Sequence, residues 1–364
     1  MSSFQVTAER IRITEHSNAD ALELAQVGGY RAVVRKGQFE DGQLAVYIPE
    51  QAILPDELID ELGLTGKLAG SKRNRLKPVR LRGELSQGIV CLPSAVADVD
   101  LAQAEAQRTD LAEALGVTKY VPSVPVHMSG EAHVATDQVR WVDIENVKRY
   151  PEVFEDGDWV IGTEKLHGTC CAITFHADPE HPDPLQVSSK GLNSRGLALT
   201  GTDKNRQKNL YWRAVDTFEL ETLARAIAEE LDVDTVALFG EVYGAGVQDL
   251  TYGQASGQIS FALFDVAVVS DGGARTFIAA SALPALIAGR VPLAPVLYNG
   301  PYDEAKLWEL ATGEETVSGT GAHLREGLVV RPWRERYAPQ LGGRVILKFV
   351  SDAYLLRGNA TEYE

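Results

Sequence analysis

Lys165 is the residue of this chain best suited to form a covalent bond. It stands in Thr163-Glu164-Lys165-Leu166-His167-Gly168-Thr169, where an apolar run ends and a glycine follows three positions later. A strand end can hold an amine rigidly, and a glycine lets a phosphate approach the backbone. An ammonium cannot attack, so the amine's pKa must be lowered by desolvation or by a neighbouring cation. Four later segments supply possible partners. Gly240-Glu241-Val242-Tyr243-Gly244 puts a carboxylate at the end of an apolar strand, and Glu326-Gly327-Leu328-Val329-Val330-Arg331 puts a second at the start of another. Phe264, in Phe261-Ala262-Leu263-Phe264-Asp265-Val266, offers an aromatic face for a base, and Lys348 lies inside the apolar run Val345–Phe349. Charges in buried strands are costly unless paired or used. Each has a plainer reading: Glu241 and Glu326 as strand-end caps, Phe264 as core, Lys348 snorkelling from an edge.

The elements that must position these residues fall into two sets. Residues 4 to about 93 predict short strands over Phe4–Thr14, Leu22–Val27, Tyr30–Lys36, Leu44–Ile48, Lys77–Leu81 and Gly88–Leu92, with Gly28-Gly29 and Asp41-Gly42 as turns. Helices are expected over Asp56–Leu62 and Asp110–Leu115. Strands of this number and length suggest a small barrel. Val121-Pro122-Ser123-Val124-Pro125 then breaks the pattern. The boundaries drawn are a barrel over 1–125, a linker over 126–138 and a second domain over 139–364. In that domain Trp159–Thr163 and Cys170–Phe175 read as antiparallel strands flanking the lysine turn. Leu220, Leu223, Ile227 and Leu231 share one helical face, leading into a strand at Thr235–Phe239. Strands at Ile259–Val266, Gly327–Val330 and Val345–Val350 follow.

Composition limits the function classes. The chain has 364 residues, 45% hydrophobic and 24% charged, as expected of a globular, two-domain protein. The start Met1-Ser2-Ser3-Phe4-Gln5 reads as no signal peptide, and no apolar stretch approaches the about 20 residues that span a bilayer. Cys91, Cys170 and Cys171 make no disulfide framework and no zinc spacing, so a cytoplasmic, reducing compartment is expected. A formal net charge of −16 argues against nonspecific nucleic-acid binding. Against that background Lys67, Lys72, Arg73, Arg75, Lys77, Arg80 and Arg82 form one basic run, and Lys190, Arg195, Lys204, Arg206, Lys208 and Arg213 another. Such runs suggest local phosphate-facing surfaces.

Taken in order, Lys165-Leu166-His167-Gly168, Ser188-Ser189-Lys190-Gly191, Phe239-Gly240-Glu241, Phe261–Val266, Glu326-Gly327-Leu328-Val329 and Leu347-Lys348 resemble motifs I, Ia, III, IIIa, IV and V of covalent nucleotidyltransferases. Glu-Lys-Leu-His-Gly-Thr and Phe-x-x-Phe-Asp-Val point to the RNA-ligase branch. His16-Ser17-Asn18-Ala19-Asp20-Ala21-Leu22-Glu23-Leu24 resembles the opening of tRNA-binding-type OB domains. That order is similar to the Deinococcus-type RNA ligases. DNA ligases and capping enzymes mostly carry an OB domain after motif V, and sixteen residues, 349–364, follow Lys348 here.

The resemblance implies an α+β chain: an N-terminal OB-like β-barrel followed by an ATP-grasp-like nucleotidyltransferase domain of antiparallel sheets with flanking helices. It implies an ATP-dependent RNA ligase that seals 3′-OH/5′-phosphate nicks in duplex RNA or an RNA/DNA hybrid, in RNA repair, with Mg2+ or Mn2+. Lys165 would attack the α-phosphate of ATP and carry AMP. Glu164 would sit beside the adenine and Phe264 would stack on it. Glu241 would hold the ribose or a metal-bound water, and Glu326 would orient the metal. Lys348 would neutralise the α-phosphate, with Lys190 or Arg195 opposite. The basic run from Lys67 to Arg82 would grip the nucleic acid. Two positions depart from the pattern. His167 replaces the usual aspartate and leaves its part in metal binding open, and Val350 stands where a second motif V lysine is usual, with Arg344 as a substitute to consider. The rival readings are a non-catalytic RNA-binding scaffold and a DNA ligase or other nucleotidyltransferase.

Overall fold

The computed structural model describes residues 4–270 and 273–358. The chain divides into two compact units. One takes the chain to Val121 together with Val147–Pro151; the other takes Pro122–Asn146 and the chain from Glu152 onward.

In the first unit, strands Leu22–Val27 and Tyr30–Arg35 pair across Gly28-Gly29, with Arg12–Glu15 on their outer edge. A second three-stranded sheet joins Thr7–Arg10, Leu44–Ile48 and Ile89–Cys91. The run expected as one strand over Phe4–Thr14 is broken at Ile11, a buried core residue whose N–H bonds the carbonyl of Gln43. That break lets one segment serve both sheets. A helix does not form over Asp110–Leu115. The Asp110 carboxylate caps a turn instead, accepting from the N–H groups of Val6 and Ala112, while Leu111 and Leu115 enter the core. The helix of this region lies earlier, Leu101–Gln107, because the Asp100 carboxylate caps its first turn.

In the second unit, a seven-stranded antiparallel sheet runs Ala132–Val134, Leu197–Leu199, Leu185–Ser189, Thr169–His176, Thr235–Tyr243, Ser260–Val269, Arg275–Phe277. Its first strand and the buried Met128 and Gln138 fall in the stretch 126–138 that reads as a linker in sequence. The segment is polar because it forms a sheet edge. Helix Leu220–Leu231 covers one face through Leu220, Leu223, Ala224, Ile227 and Ala228 and stops at Asp232 in a left-handed conformation. Each of its large apolar side chains contributes about 1.5–3 kcal/mol by burial. A second sheet of five strands runs Glu145–Asn146, Leu347–Val350, Gly327–Pro332, Trp159–Lys165, Val296–Pro301. The chain is thus α+β with mainly antiparallel sheets. No helix among the described residues is long and apolar enough to cross a membrane.

The lysine turn is not a hairpin. Trp159–Lys165 pairs with Gly327–Pro332 and Val296–Pro301, whereas Thr169–His176 pairs with Leu185–Ser189 and Thr235–Tyr243. Leu166-His167-Gly168 therefore carries the chain from one sheet to the other. Alternating apolar residues on both sides of the turn specify two strands without specifying that they pair with each other. At the crossing, a Cβ on Gly168 would stand 2.2 Å from the carbonyl oxygen of Val242. The chain enters the seven-stranded sheet so close to the neighbouring strand Thr235–Tyr243 that only glycine fits.

Candidate active site

Register builds the site. Lys165 ends its strand directly opposite Gly327, so Glu326 is delivered beside the lysine side chain. The Lys165 amine meets Glu326 Oε1 at 2.7 Å. In the same sheet Thr163, Val329 and Lys348 lie in one cross-strand row, and Lys165, Gly327 and Val350 in the row two residues along. Residues two apart on a strand share a face, so Lys348 and Lys165 project the same way. The close approach at Gly327, where a Cβ would stand 1.9 Å from the carbonyl oxygen of Phe349, keeps these rows tight.

The other sheet contributes Glu241, opposite Cys170 and Ala262, two residues before the end of Thr235–Tyr243. It lies inside the strand, not at its end, and accepts a hydrogen bond from the Gly168 N–H at the crossing. Lys190 opens the short helix Lys190–Ser194, capped by Ser189, and its amine pairs with Asp143.

These groups perturb one another. Burial works to lower the Lys165 amine, but the carboxylates of Glu326 and Glu241 outweigh it and hold the amine above the ordinary lysine value. Burial pushes Glu241 up to about 8, opposed by Lys165 and reinforced by Glu326. Burial, with Lys165 and Lys190 nearby, holds Lys348 down to about 8. A half-buried lysine held below its ordinary pKa beside two other cations, and a half-buried carboxylate held above its own beside a second carboxylate, describe a site that an anionic ligand and a cation would both relieve.

His167 is enclosed. Its Nε2 meets Asp249 Oδ1 at 2.8 Å, its Nδ1 meets the Tyr354 hydroxyl at 2.7 Å, and its N–H donates to the Tyr252 hydroxyl at 2.6 Å. Arg357 holds Asp249 through a 3.1 Å contact. Both ring nitrogens are engaged, so a metal ligand is not what this geometry offers; the ring fastens the crossing to the C-terminal helix Asp352–Leu355. Burial lowers its pKa despite the nearby Glu326 and Asp249 carboxylates. Sequence reading missed Asp249, Tyr252, Tyr354 and Arg357, which converge only through the fold.

The remaining expectations divide. Glu164 Oε2 accepts from the Thr316 N–H at 3.0 Å and hydroxyl at 2.6 Å, with the Arg325 guanidinium at 3.5 Å. Its Oε1 is buried and lacks a hydrogen-bond partner among the described residues. Phe264 is half-buried against Trp141, ring centroids 5.1 Å apart, and Trp141 also meets Phe239 at 4.8 Å. Arg195 is exposed and its Nε bonds back to the Gly191 carbonyl, whereas Lys190 acts electrostatically on Glu241 and Lys348. Arg344 does not supply a second motif V cation. It is bound to Asp265 at 2.7 Å and to both Glu335 oxygens at 2.8 Å.

In the first unit the basic run separates likewise. Lys67, Lys72, Arg73, Arg80 and Arg82 are exposed and Lys77 is half-buried. Arg75 is buried, 7% exposed, with its guanidinium 3.5 Å from the centre of the Tyr120 ring. Alternation hides this in sequence: one cation of a basic run turns inward onto an aromatic face.

A family model described as RNA ligase matches residues 158–350, and one described as an OB-fold domain matches residues 5–94. No curated protein gives a significant match. Among solved structures, Naegleria gruberi RNA ligase with pyrophosphate is 23% identical, with 97% of this chain and 98% of that one covered and a TM-score of 0.73. A point mutant of that enzyme with ATP and Mn is also 23% identical, covering 96% and 98%, with a TM-score of 0.75. Another, with AMP and Mn, is 22% identical over 97% and 98%, with a TM-score of 0.75. At these identities the likeness establishes the fold, and it runs through both units.

Proposed function

The chain belongs to the RNA ligase family, and on that premise we propose that it is an ATP-dependent ligase that joins RNA through a lysyl–AMP intermediate on Lys165. The carrying observation is the Lys165 amine at 2.7 Å from Glu326, on the face it shares with Lys348 and beside Glu241. The amine nitrogen attacks the α-phosphorus of ATP, a nitrogen–phosphorus bond forms, and the bond to pyrophosphate breaks. Glu326, already in contact, takes the ammonium proton. Lys348 and Lys190 offset the negative charge that accumulates on the α-phosphate. Glu164 and the half-exposed Phe264 handle the base.

A divalent cation fits this site. Glu326 raises the proton affinity of the neighbouring Glu241, which is unmet negative charge of the kind oxygen-seeking cations relieve. Mg2+ or Mn2+ held there would stabilise phosphate charge. The similar Naegleria enzyme is described with ATP and Mn, which supports the choice. Transfer of AMP to a 5′-phosphate, followed by attack of a 3′-OH, completes joining. The substrate we propose is a nicked RNA duplex or RNA/DNA hybrid, gripped by the exposed cations Lys67, Lys72, Arg73, Arg80 and Arg82, in RNA repair.

Incubation with α-labelled ATP and Mg2+ tests the reading. A protein–AMP adduct that pyrophosphate reverses should form on the wild type and fall below detection in Lys165→Ala. An adduct that persists in that variant would sink the assignment. Nicks ending in a 3′-ribonucleotide should seal faster than 3′-deoxy nicks; equal rates would count against RNA.

A further inference from the structure

The seven-stranded sheet carries a second cluster of metal-capable groups at the end opposite the lysine crossing. Thr169 begins a strand at the crossing and His176 ends it seven residues later, about 23 Å away at 3.3 Å per residue. Around His176 gather His181, from the loop that follows, and Asp137, from just beyond the edge strand Ala132–Val134. We infer that Asp137, His176 and His181 form a binding site for a transition-metal dication of the zinc type, separate from the ligase chemistry.

Three observations carry the inference. One ligand atom from each residue lies within 4.8 Å of the others, with Asp137 Oδ2 at 2.9 Å from His181 Nε2 and 3.9 Å from His176 Nε2. Donors around a tetrahedral zinc at about 2.0–2.1 Å stand about 3.4 Å apart, so the trio needs only small side-chain movement to converge. Second, His176 is 9% exposed and its Nε2 is buried with no hydrogen-bond partner of good geometry among the described residues, the Gln186 side chain being nearby. A buried ring nitrogen left unbonded costs free energy, and a bound cation would remove that cost. Third, supporting contacts already orient the donors. The Thr235 hydroxyl meets His176 Nδ1 at 3.2 Å, and Gln186 donates to Asp137 Oδ1 at 2.8 Å. An imidazole whose Nδ1–H is given to a hydroxyl presents its Nε2 lone pair to a metal, and a ligating carboxylate is typically held by a neighbour in this way.

Imidazole and carboxylate donors select zinc-like ions over magnesium, which prefers an all-oxygen shell. The His181 ring stacks on that of His176, centroids 4.0 Å apart, and its Nε2 faces Asp137. Binding requires His181 to fan outward and to move its ring proton to Nδ1, at the expense of the 3.2 Å bond from the Asp183 N–H. His181 lies on the loop between two strands, where such a rotation is cheap. The three donors come from separate segments of one unit, so the ion would staple the edge segment around Asp137 to the sheet. Gln138, next in sequence, accepts from Ser188 and Asn193 beside the helix that opens with Lys190.

The test uses the full chain, stripped with chelator and held in excess Mg2+ so that oxygen-ligand sites are occupied. Zn2+ binding is measured by competition with a chromogenic chelator, and Co2+ substitution by its visible bands. The wild type should take up one equivalent, with cobalt bands of a four-coordinate nitrogen–oxygen site. His181→Ala and Asp137→Asn, checked for folding by circular dichroism, should each weaken binding at least about 100-fold. Glu326→Gln, in the other cluster, should leave the stoichiometry and affinity unchanged. Absence of Zn2+ and Co2+ uptake by folded wild type overturns the site. So does wild-type affinity in both His181→Ala and Asp137→Asn, or loss of the bound equivalent in Glu326→Gln.

Discussion

The charged clusters around Asp265 and around Lys165, both in the ligase unit, are built differently. Around Asp265, fully buried, Arg331 stands at 3.0 Å and Arg344 at 2.7 Å, and Glu335 receives the second fork of Arg344. Two carboxylates face two guanidiniums: Arg344 hydrogen-bonds both Asp265 and Glu335, and Arg331 is ion-paired with Asp265 while its other terminal nitrogen donates to the Phe264 carbonyl. Around Lys165 the composition is similar but the geometry leaves charge unspent: Lys348 makes no ion pair within 4 Å among the described residues, and its pKa is held down to about 8. Glu241 is pushed up to about 8 by burial beside Glu326. Burying a charge signals function only where the fold does not complete its pairing; where each charge stands against an opposite one, the same residue types are structure.

The largest test of that contrast exchanges the roles. Glu326→Gln removes the carboxylate that holds the nucleophile and should lower the rate of adduct formation by about 100- to 1000-fold, while the melting temperature stays close to wild type. Asp265→Ala should do the reverse. Stranding the buried Arg331 guanidinium and removing one of the two carboxylate partners of Arg344 costs about 3–5 kcal/mol, which lowers the melting temperature by about 10 °C, with adduct formation per folded molecule within a few-fold of wild type. Single-turnover labelling beside thermal denaturation separates the two. A stability loss for Glu326→Gln as large as for Asp265→Ala would erase the distinction.

A smaller effect appears as pH dependence. The folded pKa of Lys348, about 8, lies below its ordinary value of 10.5. Its share of stability is present above about 10.5 and is lost as pH falls through about 8. Glu241 works in the opposite sense: its folded pKa of about 8 lies above 4.5, so its share is present below about 4.5 and is lost as pH rises through 8. Lys348→Met should therefore melt a few degrees higher than wild type at about pH 7, with the gap closing towards pH 10.5. Adduct formation in that variant should fall about 100-fold at pH 7. A melting difference that widens with pH would show the sign to be wrong.

How far the sequence reaches is visible in these same residues. Lys165, Glu326, Glu241 and Lys348 could be picked out because a charge inside an apolar run is costly, and each run is local. The helix Leu220–Leu231 follows from its apolar spacing, and the structure has it at those bounds. Pairing is another matter. The lysine turn reads as a hairpin because two apolar runs flank it, and only register shows that they enter different sheets. His167 looks like a defective metal position until Asp249 and Tyr354, 82 and 187 residues distant, close on its two ring nitrogens. Arg344 looks like a spare cation until Asp265 and Glu335 claim it. Long-range partners that satisfy a charge leave no mark near it in the sequence.

The smallest effect sharpens the comparison at the rim of the site. Lys190 and Arg195 belong to one basic run, five residues apart, and sequence alone leaves both as candidates for the same role. The Lys190 amine pairs with Asp143 and helps hold down the pKa of Lys348. Arg195 bonds the carbonyl of Gly191 on its own short helix, an exposed contact worth at most a few tenths of a kcal/mol. Lys190→Ala should thus slow adduct formation about tenfold and raise the Lys348 pKa, shifting the alkaline limb of the adduct-formation profile to higher pH. Arg195→Ala should leave the rate within about twofold and the limb where it was. If the two variants lose activity equally with no shift in the limb, Lys190 acts no differently from a surface cation, and the boundary between spent and unspent charge moves inward to Lys165, Glu241, Glu326 and Lys348.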